Sequence, residues 1–425
     1  MTVDDFLQQY HSAELPGIDQ AWLQDLRAQG LNGLEEHGFP AVKEENWKYT
    51  RVTPILKPEY HLAKLVEVNQ TQIQQHIVTD GSVLVFINGH YSDSHSQLKA
   101  GDNVLVDSLA NAIDTHYEVV SRHLGQVANI ETSGFASLNT AMMQDGAFIH
   151  IAKDAVVKRP IQLIFISTGA EHMINHTRNL ILADTHSQAD IFTTYVSLDD
   201  SLYFNTIVNE IVLGDNAQLK LYKSQLESPN AFHVNYTFTQ QARDSQFYHY
   251  NMDCGSQLTR NWLETQLQQP GAYCSFNGLY LIKDKQHIDN HTRIDHQAAN
   301  TNSHEFYKGI LNDKGRGVFN GQVMIRPDAQ LVNAEQQNRN LLLSTGAEID
   351  TKPELEIYAD DVKCSHGATI GQLDEASIFY LQSRGISRDE AKAILTHGFG
   401  YEVLENFEHE GFREQCTKHL ESWLD

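Results

Sequence analysis

The sequence predicts a mainly β chain, a β-solenoid of roughly 200 residues between two helical regions. Three observations carry that prediction. From about Gly146 to Thr369, short runs of strand formers such as IQLIFIS, ADIFTTYVS, IVNEIVLG and QLKLYKS are broken by turn residues, with almost no helical periodicity. A turn residue followed by Ala precedes many of the runs, at Asp154-Ala155, Gln188-Ala189, Asn216-Ala217, Gly271-Ala272, Asp328-Ala329 and Gly346-Ala347. Ala217 to Ala272 spans 55 residues and Ala272 to Ala329 spans 57, each about three times the 18 from Ala329 to Ala347. A repeat near 18 is too short for a helical pair and suits one coil of a solenoid, whose rungs bury inward side chains against each other. The earlier gaps of 34 and 28 fit that period poorly, so a β-sandwich is the alternative arrangement. Third, helical spacing is confined to the two ends of the chain.

Taken in order, residues 4–37 carry helical spacing through Phe6, Leu7 and Tyr10 and then Trp22, Leu23 and Leu26, with Gly30 and Gly33 as stops. The segment EENWKYTRVTPILKP, Glu44 to Pro58, reads as an irregular connection because of Pro54 and Pro58. A short strand is expected at Ser82 to Asn88, and one helix from Leu105 to Leu124 through Leu109, Ile113 and Val120. After Gly371 the helical period returns. Ile378, Tyr380 and Leu381 outline a short helix ending at Gly385. Ser387 and Glu390 then form a capping box for a second helix with an apolar stripe of Ala391, Ile394 and Leu395, interrupted by Gly398 and Gly400. A last helix runs from about Phe412 to Leu424. So short a tail needs a surface to dock on, either the solenoid end or another chain. The chain therefore divides into residues 1–145, 146–369 and 370–425.

Thirty-one Lys and Arg against 55 Asp and Glu give a net charge of −24 over 425 residues. That balance argues against binding to a phosphate backbone or an anionic membrane. The N-terminus has acidic residues where a secretory signal has basic ones, and no apolar run approaches a membrane span. Cys254, Cys274, Cys364 and Cys416 are widely spaced and form no CxxC, which fits a reduced, cytoplasmic chain. The glycine cluster GILNDKGRGVFNG lacks the Lys-Ser/Thr ending of a phosphate loop, and GxSxG is absent, so neither ATP hydrolysis by that route nor a nucleophile elbow is expected.

The chemistry-bearing stretch is Leu355 to Gln372, LEIYADDVKCSHGATIGQ. In one extended strand, Glu356, Tyr358, Asp360, Val362, Cys364 and His366 would share a face, opposite Leu355, Ile357 and Ala359. Thiolate and imidazole are good ligands for a borderline or soft metal, but Cys364 and His366 supply two of the about four that a closed site needs. The bland alternative is a small buried Cys and a hydrogen-bonded His. A second histidine-rich run, Gln286 to His304, carries His287, His291, His296 and His304 beside Asp289 and Asp295. Its spacing fits no single helix or strand face, so metal binding there competes with simple hydrogen bonding.

The run VFNGQVMIRPDAQLVNAEQQNRNLLLSTGAEIDTKPELEIYADDVKCSHGATIGQLDEASIFYLQSRGIS closely resembles the SufD family, scaffold subunits of the bacterial SUF iron–sulfur cluster assembly system. The specific portion spans about Gly315 to Phe407, and ENWKYT at Glu45 to Thr50 extends it toward the N-terminus. The sister family SufB has a different motif where CSHGATIG stands here. The resemblance implies a right-handed parallel β-helix with N-terminal and C-terminal helical regions. It implies partnership with a SufB-like paralogue and a SufC-like ATPase, and a nascent iron–sulfur cluster held transiently at an interface shared with SufB. His366 and Cys364 would be this chain's contribution to that interface, His366 foremost. Gln382, Ser383, Arg384, Gly385 and Ile386, with the capped helix that follows, would contact the ATPase. No nucleotide is placed on this chain, flavin binding by the complex is left open, and a homodimer is possible when the chain is alone.

The expected function is thus a non-enzymatic scaffold subunit. A stand-alone metal-binding protein using His287 to His304, and a carbohydrate-active enzyme on a β-solenoid, are the competing classes.

Overall fold

The computed structural model describes residues 1–99, 101, 103–130, 133–169 and 171–424. The N-terminal region comprises helices α1 (Val3–Ser12), α2 (Ala21–His37), α3 (Thr53–Leu56) and α4 (Gln70–Gln74), strands β1 (His61–Leu62), β2 (Val83–Ile87), β3 (His90–Tyr91) and β4 (Val104–Ser108), and helices α5 (Leu109–Thr115), α6 (Tyr117–His123) and α7 (Gly134–Met142). Then come β5 (Ala147–Ile151), β6 (Ile161–Ser167), β7 (Met173–Ala183), β8 (Gln188–Ser197), β9 (Tyr203–Leu213), β10 (Gln218–Leu226), β11 (Phe232–Gln241) and β12 (Gln246–Asp253). They continue through β13 (Leu258–Leu267), β14 (Tyr273–Ile282), β15 (His287–His296), β16 (Asn302–Leu311), β17 (Arg316–Ile325), β18 (Val332–Leu342), β19 (Glu348–Ile357) and β20 (Val362–Gly371). Helices α8 (Glu375–Ser383), α9 (Arg388–Leu404) and α10 (Glu410–Leu424) close the chain.

From β5 onward, odd-numbered strands stack in parallel into one sheet and even-numbered strands into a second, so each strand pairs with the next but one. This is the parallel β-solenoid expected from the sequence, and a sandwich is ruled out by the parallel pairing. The period, however, is corrected. Ile174, Phe204, Phe232, Leu258, His287, Arg316 and Glu348 stand in one register column, so a rung takes between 26 residues (Phe232 to Leu258) and 32 (Arg316 to Glu348). Each rung has two strands and two corners. The 18-residue step from Ala329 to Ala347 crosses from one sheet to the other, whereas the gaps of 34 and 28 that fitted poorly are single rungs. At Asp154, Asn216 and Gly271 the turn-plus-Ala signal marks a left-handed corner residue followed by a small buried one, and the same corner recurs at Asp244 and Asn300; Gln188, Asp328 and Gly346 are not left-handed. Ser245 and Thr301 replace Ala at two such corners, which hides the period.

Inside the solenoid, apolar residues such as Ile181, Ile211, Phe247 and Ile294 form the continuous core. They share the lumen with a polar ladder. Parallel in-register stacking places identical side chains one above another, and amides exploit this: Asn175 donates to Asn205 at 2.8 Å, Asn179 to Asn209 at 2.7 Å and Asn261 to Asn290 at 2.8 Å, while Asn209, in register with Thr237, reaches diagonally to Asn235 at 2.9 Å. A fully buried Lys223 donates to Asp253 at 2.7 Å, with Asn251 and Asn261 completing the shell. Such a pair offsets its desolvation only because every remaining donor and acceptor is partnered. Gly278 is required here, since a Cβ would sit 2.2 Å from the Tyr307 ring in the neighbouring strand.

The outer face of the odd-numbered sheet is covered by the N-terminal region. Helix α7, every residue of which is buried, was not foreseen: GFASLNTAM has too many small residues to show an amphipathic period. It covers the buried Arg178–Glu210 pair at 2.6 Å, while Glu210 also accepts the backbone N–H groups of Gly125, Val127 and Ala128. Helix α2 packs on α7 so closely that a Cβ on Gly30 would lie 2.6 Å from the Ala141 nitrogen. Gly30 and Gly33 are therefore inside α2 and serve helix–helix approach, not termination. The expected helix from Leu105 to Leu124 is a strand end followed by two helices breaking at His116, although Leu109, Ile113, Val120 and Leu124 are all buried as expected.

The tail docks on the outer flank of the even-numbered sheet, not on the solenoid end. Val403, Leu404, Phe407, Phe412, Cys416 and Leu420 pack against Phe192, Tyr222, Tyr250, Leu281 and Ile310. The buried Lys308 pins α9, donating to the Phe399 carbonyl at 2.8 Å and to Glu402. Gly398 and Gly400 lie within α9; Gly400 lets Leu420 and Ile310 approach. Ile394 is exposed, so the expected apolar stripe rotates away from it.

Candidate functional site at the last rung

The stretch around Cys364 is not one strand. β19 ends at Ile357, residues 358–361 turn the corner, and β20 starts at Val362 in the other sheet. Leu355, Val362 and Cys364 all pack against the lumen core, approaching it from opposite sheets. The expected common face with Glu356 and Tyr358 is thereby broken, but the pairing that matters survives, because Cys364 and His366 are two apart on β20 and project on the same side.

Cys364 is half-buried, and burial pushes its thiol above the usual range. His366 is exposed. Behind them the lumen is polar: Phe276, Glu305, Gln336 and His366 form one register column. Gln336 donates to Glu305 at 2.6 Å, and burial pushes the Glu305 carboxyl up to about 7. Glu305 and Gln336 escaped sequence reading; the signal was an acidic residue on the same strand face as Ser303 and Tyr307. Strands β19 and β20 each pair on one side only, with β17 and β18. The last rung therefore offers two open sheet edges, the exposed apolar residues Ile357, Tyr358 and Ile370, and a thiol and an imidazole at the rim of the lumen. Chemically these are two donors of the kind that bind borderline or soft metals, short of the about four that a closed site needs.

Three residues after β20, Asp374 caps α8 by accepting from Ala376 and Ser377. Ile378 is the one buried residue of α8; Phe379 is 72% exposed and Tyr380 58%. Gln382, Ser383, Arg384 and Gly385 are exposed and Ile386 half-buried, at a corner made by Gly385 (φ +88°) and closed by the Ser387–Glu390 capping box. Arg384 stacks on the Tyr380 ring at 5.3 Å.

The histidine-rich run is dispersed. His287, Asp289 and His291 face outward under the ENWKYT segment, where Thr50 donates to Asp289, Trp47 lies over Arg260 at 4.5 Å, and Arg260 pairs with Asp289. Burial holds His287 and His291 down to about 4. Burial alone would raise Asp289, but Arg260 and His291 overcome it and keep the carboxyl well below the usual range. His296 turns into the lumen, bonded to Thr301 at 2.8 Å and Ser303 at 2.9 Å, and His304 is half-exposed elsewhere. Among the described residues, no three His, Cys, Asp or Glu side chains are grouped to hold a metal.

A family model described as the SufBD core domain of SUF system FeS cluster assembly matches residues 165–399, and one for the SufBD protein N-terminal region matches residues 5–163. The chain is 31% identical to the iron–sulfur cluster assembly protein SufD of Escherichia coli over 92% of this chain and 91% of that one. It is 31% identical to an iron–sulfur cluster assembly SufBD family protein of Synechocystis, covering 92% and 89%, and 26% identical to SufD of Bacillus subtilis, covering 95% and 94%. The solenoid and its last rung thus belong to an iron–sulfur cluster assembly protein of the SUF system. The chain is a member of the SufBD family.

Proposed function

We propose that this chain is a non-enzymatic scaffold subunit on which a nascent iron–sulfur cluster is built and passed on, at an interface shared with a SufB-like paralogue. The observation that carries the reading is the incomplete donor set of the last rung: His366 and Cys364 stand between two unpaired sheet edges, so a second solenoid meeting those edges would bring the missing ligands. The cluster is cargo here. Cys364 stays a thiol until iron displaces its proton, since metal binding and deprotonation are coupled. The exposed aromatic face of α8 and the Gln382–Ile386 corner would dock a SufC-like ATPase, whose ATP hydrolysis would drive the cycle; residues 1–145, 146–369 and 370–425 would act as brace, solenoid and docking domain. This reading leaves the chain without a nucleotide of its own.

The test is co-expression with a SufB-like paralogue and a SufC-like ATPase, followed by native mass measurement. The proposal expects one complex containing all three chains, and loss of the ATPase alone from the Phe379→Ala/Tyr380→Ala variant. A chain that stays apart from both partners would overturn it.

A further inference from the structure

The opposite end of the solenoid is closed by β2, β3 and β4, and its chemistry is different. There, Gly81 and Ser82, Leu98 and Lys99, Val104 and Val106 of β4, residues 156–159 and Ile161 wall a crevice of about 510 Å³. Its floor is the first rung's own core: Val104, Val106 and Val157 are half-buried against the lumen cluster, while Leu98 is 45% and Val156 56% exposed at the rim. Lys99, Lys158 and Arg159 stand around it, and no Asp or Glu is among the described lining residues. In a chain with 55 acids and 31 bases, three cations round one apolar crevice, with the Asp80 carboxylate beside Arg159, are a local reversal of sign.

These cations are only lightly engaged. Lys99 donates to the Asp80 backbone carbonyl, a neutral acceptor. Arg159 reaches the Asp80 carboxylate at 3.9 Å, with both groups largely exposed, a pairing of little worth. Lys158 has no ion pair among the described residues. The volume falls within the range of roughly 300–1,000 Å³ typical of small-molecule sites. A metal ion finds no ligand set there, and a nucleic acid would meet repulsion from the rest of the surface.

We propose that this crevice binds a small amphiphilic anion, its aliphatic or aromatic body on Val104, Val106 and Val157 and its phosphate, carboxylate or sulfonate head between Lys158, Arg159 and Lys99. Burial of the body releases water from exposed aliphatic surface, and the head receives charge-assisted hydrogen bonds. The site is about the length of the solenoid away from His366, at the first rung instead of the last, and is independent of the cluster reading.

The experiment titrates the full-length chain with 1-anilinonaphthalene-8-sulfonate and follows its fluorescence, with octyl phosphate and octanol as competitors. Expected are saturable binding displaced by octyl phosphate but not by octanol, about tenfold weaker binding in the Lys158→Glu/Arg159→Glu variant, and loss of binding in Val156→Trp, which fills the crevice from an exposed position. Unchanged melting temperatures establish that both variants fold. Equal binding by all three chains, or displacement by octanol as readily as by octyl phosphate, would overturn the proposal.

Discussion

The inner rungs and the last rung are made of the same strands with the same alternation, yet they differ in what each side chain meets. In an inner rung every lumen group has a copy of the backbone on both sides, so Asn179, Asn209 and Asn235 satisfy one another and Lys223 finds Asp253. In the last rung the neighbour on one side is missing. Cys364 and His366 occupy lumen columns that further in are filled by Cys274, Ser303 and Ala334 and by Phe276, Glu305 and Gln336. The end of a periodic fold therefore leaves open what is satisfied inside: structural polarity within the solenoid becomes exposed donor chemistry at the last rung.

If that contrast is right, substitutions of inner-rung polar groups disrupt folding and substitutions at the last rung disrupt function. The largest effect is expected for Arg178→Met, which leaves the buried Glu210 carboxylate without its counter-charge, at a cost of roughly 3–5 kcal/mol read from urea unfolding. Next is Glu305→Gln. Burial raises the Glu305 carboxyl from 4.5 to about 7, so the folded state keeps a proton the unfolded state loses. Its contribution is complete below pH 4.5 and declines as pH rises to about 7. The amide removes that decline, stabilising the chain by up to about 3 kcal/mol at pH 8 and by little at pH 4.5; urea midpoints at the two pH values check it. The buried histidines slope the other way, His296 losing stability as pH falls from 6.5 toward about 4, but they are common to both chains and cancel in the difference.

Cys364→Ala removes a half-buried sulfur from the lumen rim and is expected to cost about 1 kcal/mol. The smallest stability effects, within about 0.5 kcal/mol, belong to His366→Ala and Phe379→Ala, because both side chains are exposed. A loss of several kcal/mol at His366 would place it with the inner rungs and erase the distinction.

Much of the fold was readable because each strand announces itself locally, and the Ser387–Glu390 capping box names its helix outright. The rung length was not readable. Two corners per rung carry the same turn chemistry, and Ser245 and Thr301 interrupt the Ala series. Gly30 and Gly400 looked like helix stops because a glycine that ends a helix and one that admits a neighbouring helix are the same letter. At the site, i, i+2 alternation paired Cys364 with His366 correctly, whereas Glu305 and Gln336 enter through strand register, a long-range property absent from local spacing.

The most direct measurement compares iron and acid-labile sulfide bound per complex when wild-type or His366→Ala chain is co-expressed with SufB-like and SufC-like partners. The account expects intact assembly, an unchanged melting temperature, and cluster content lowered about tenfold or more by loss of a ligand. Full cluster content on the intact His366→Ala complex would contradict it.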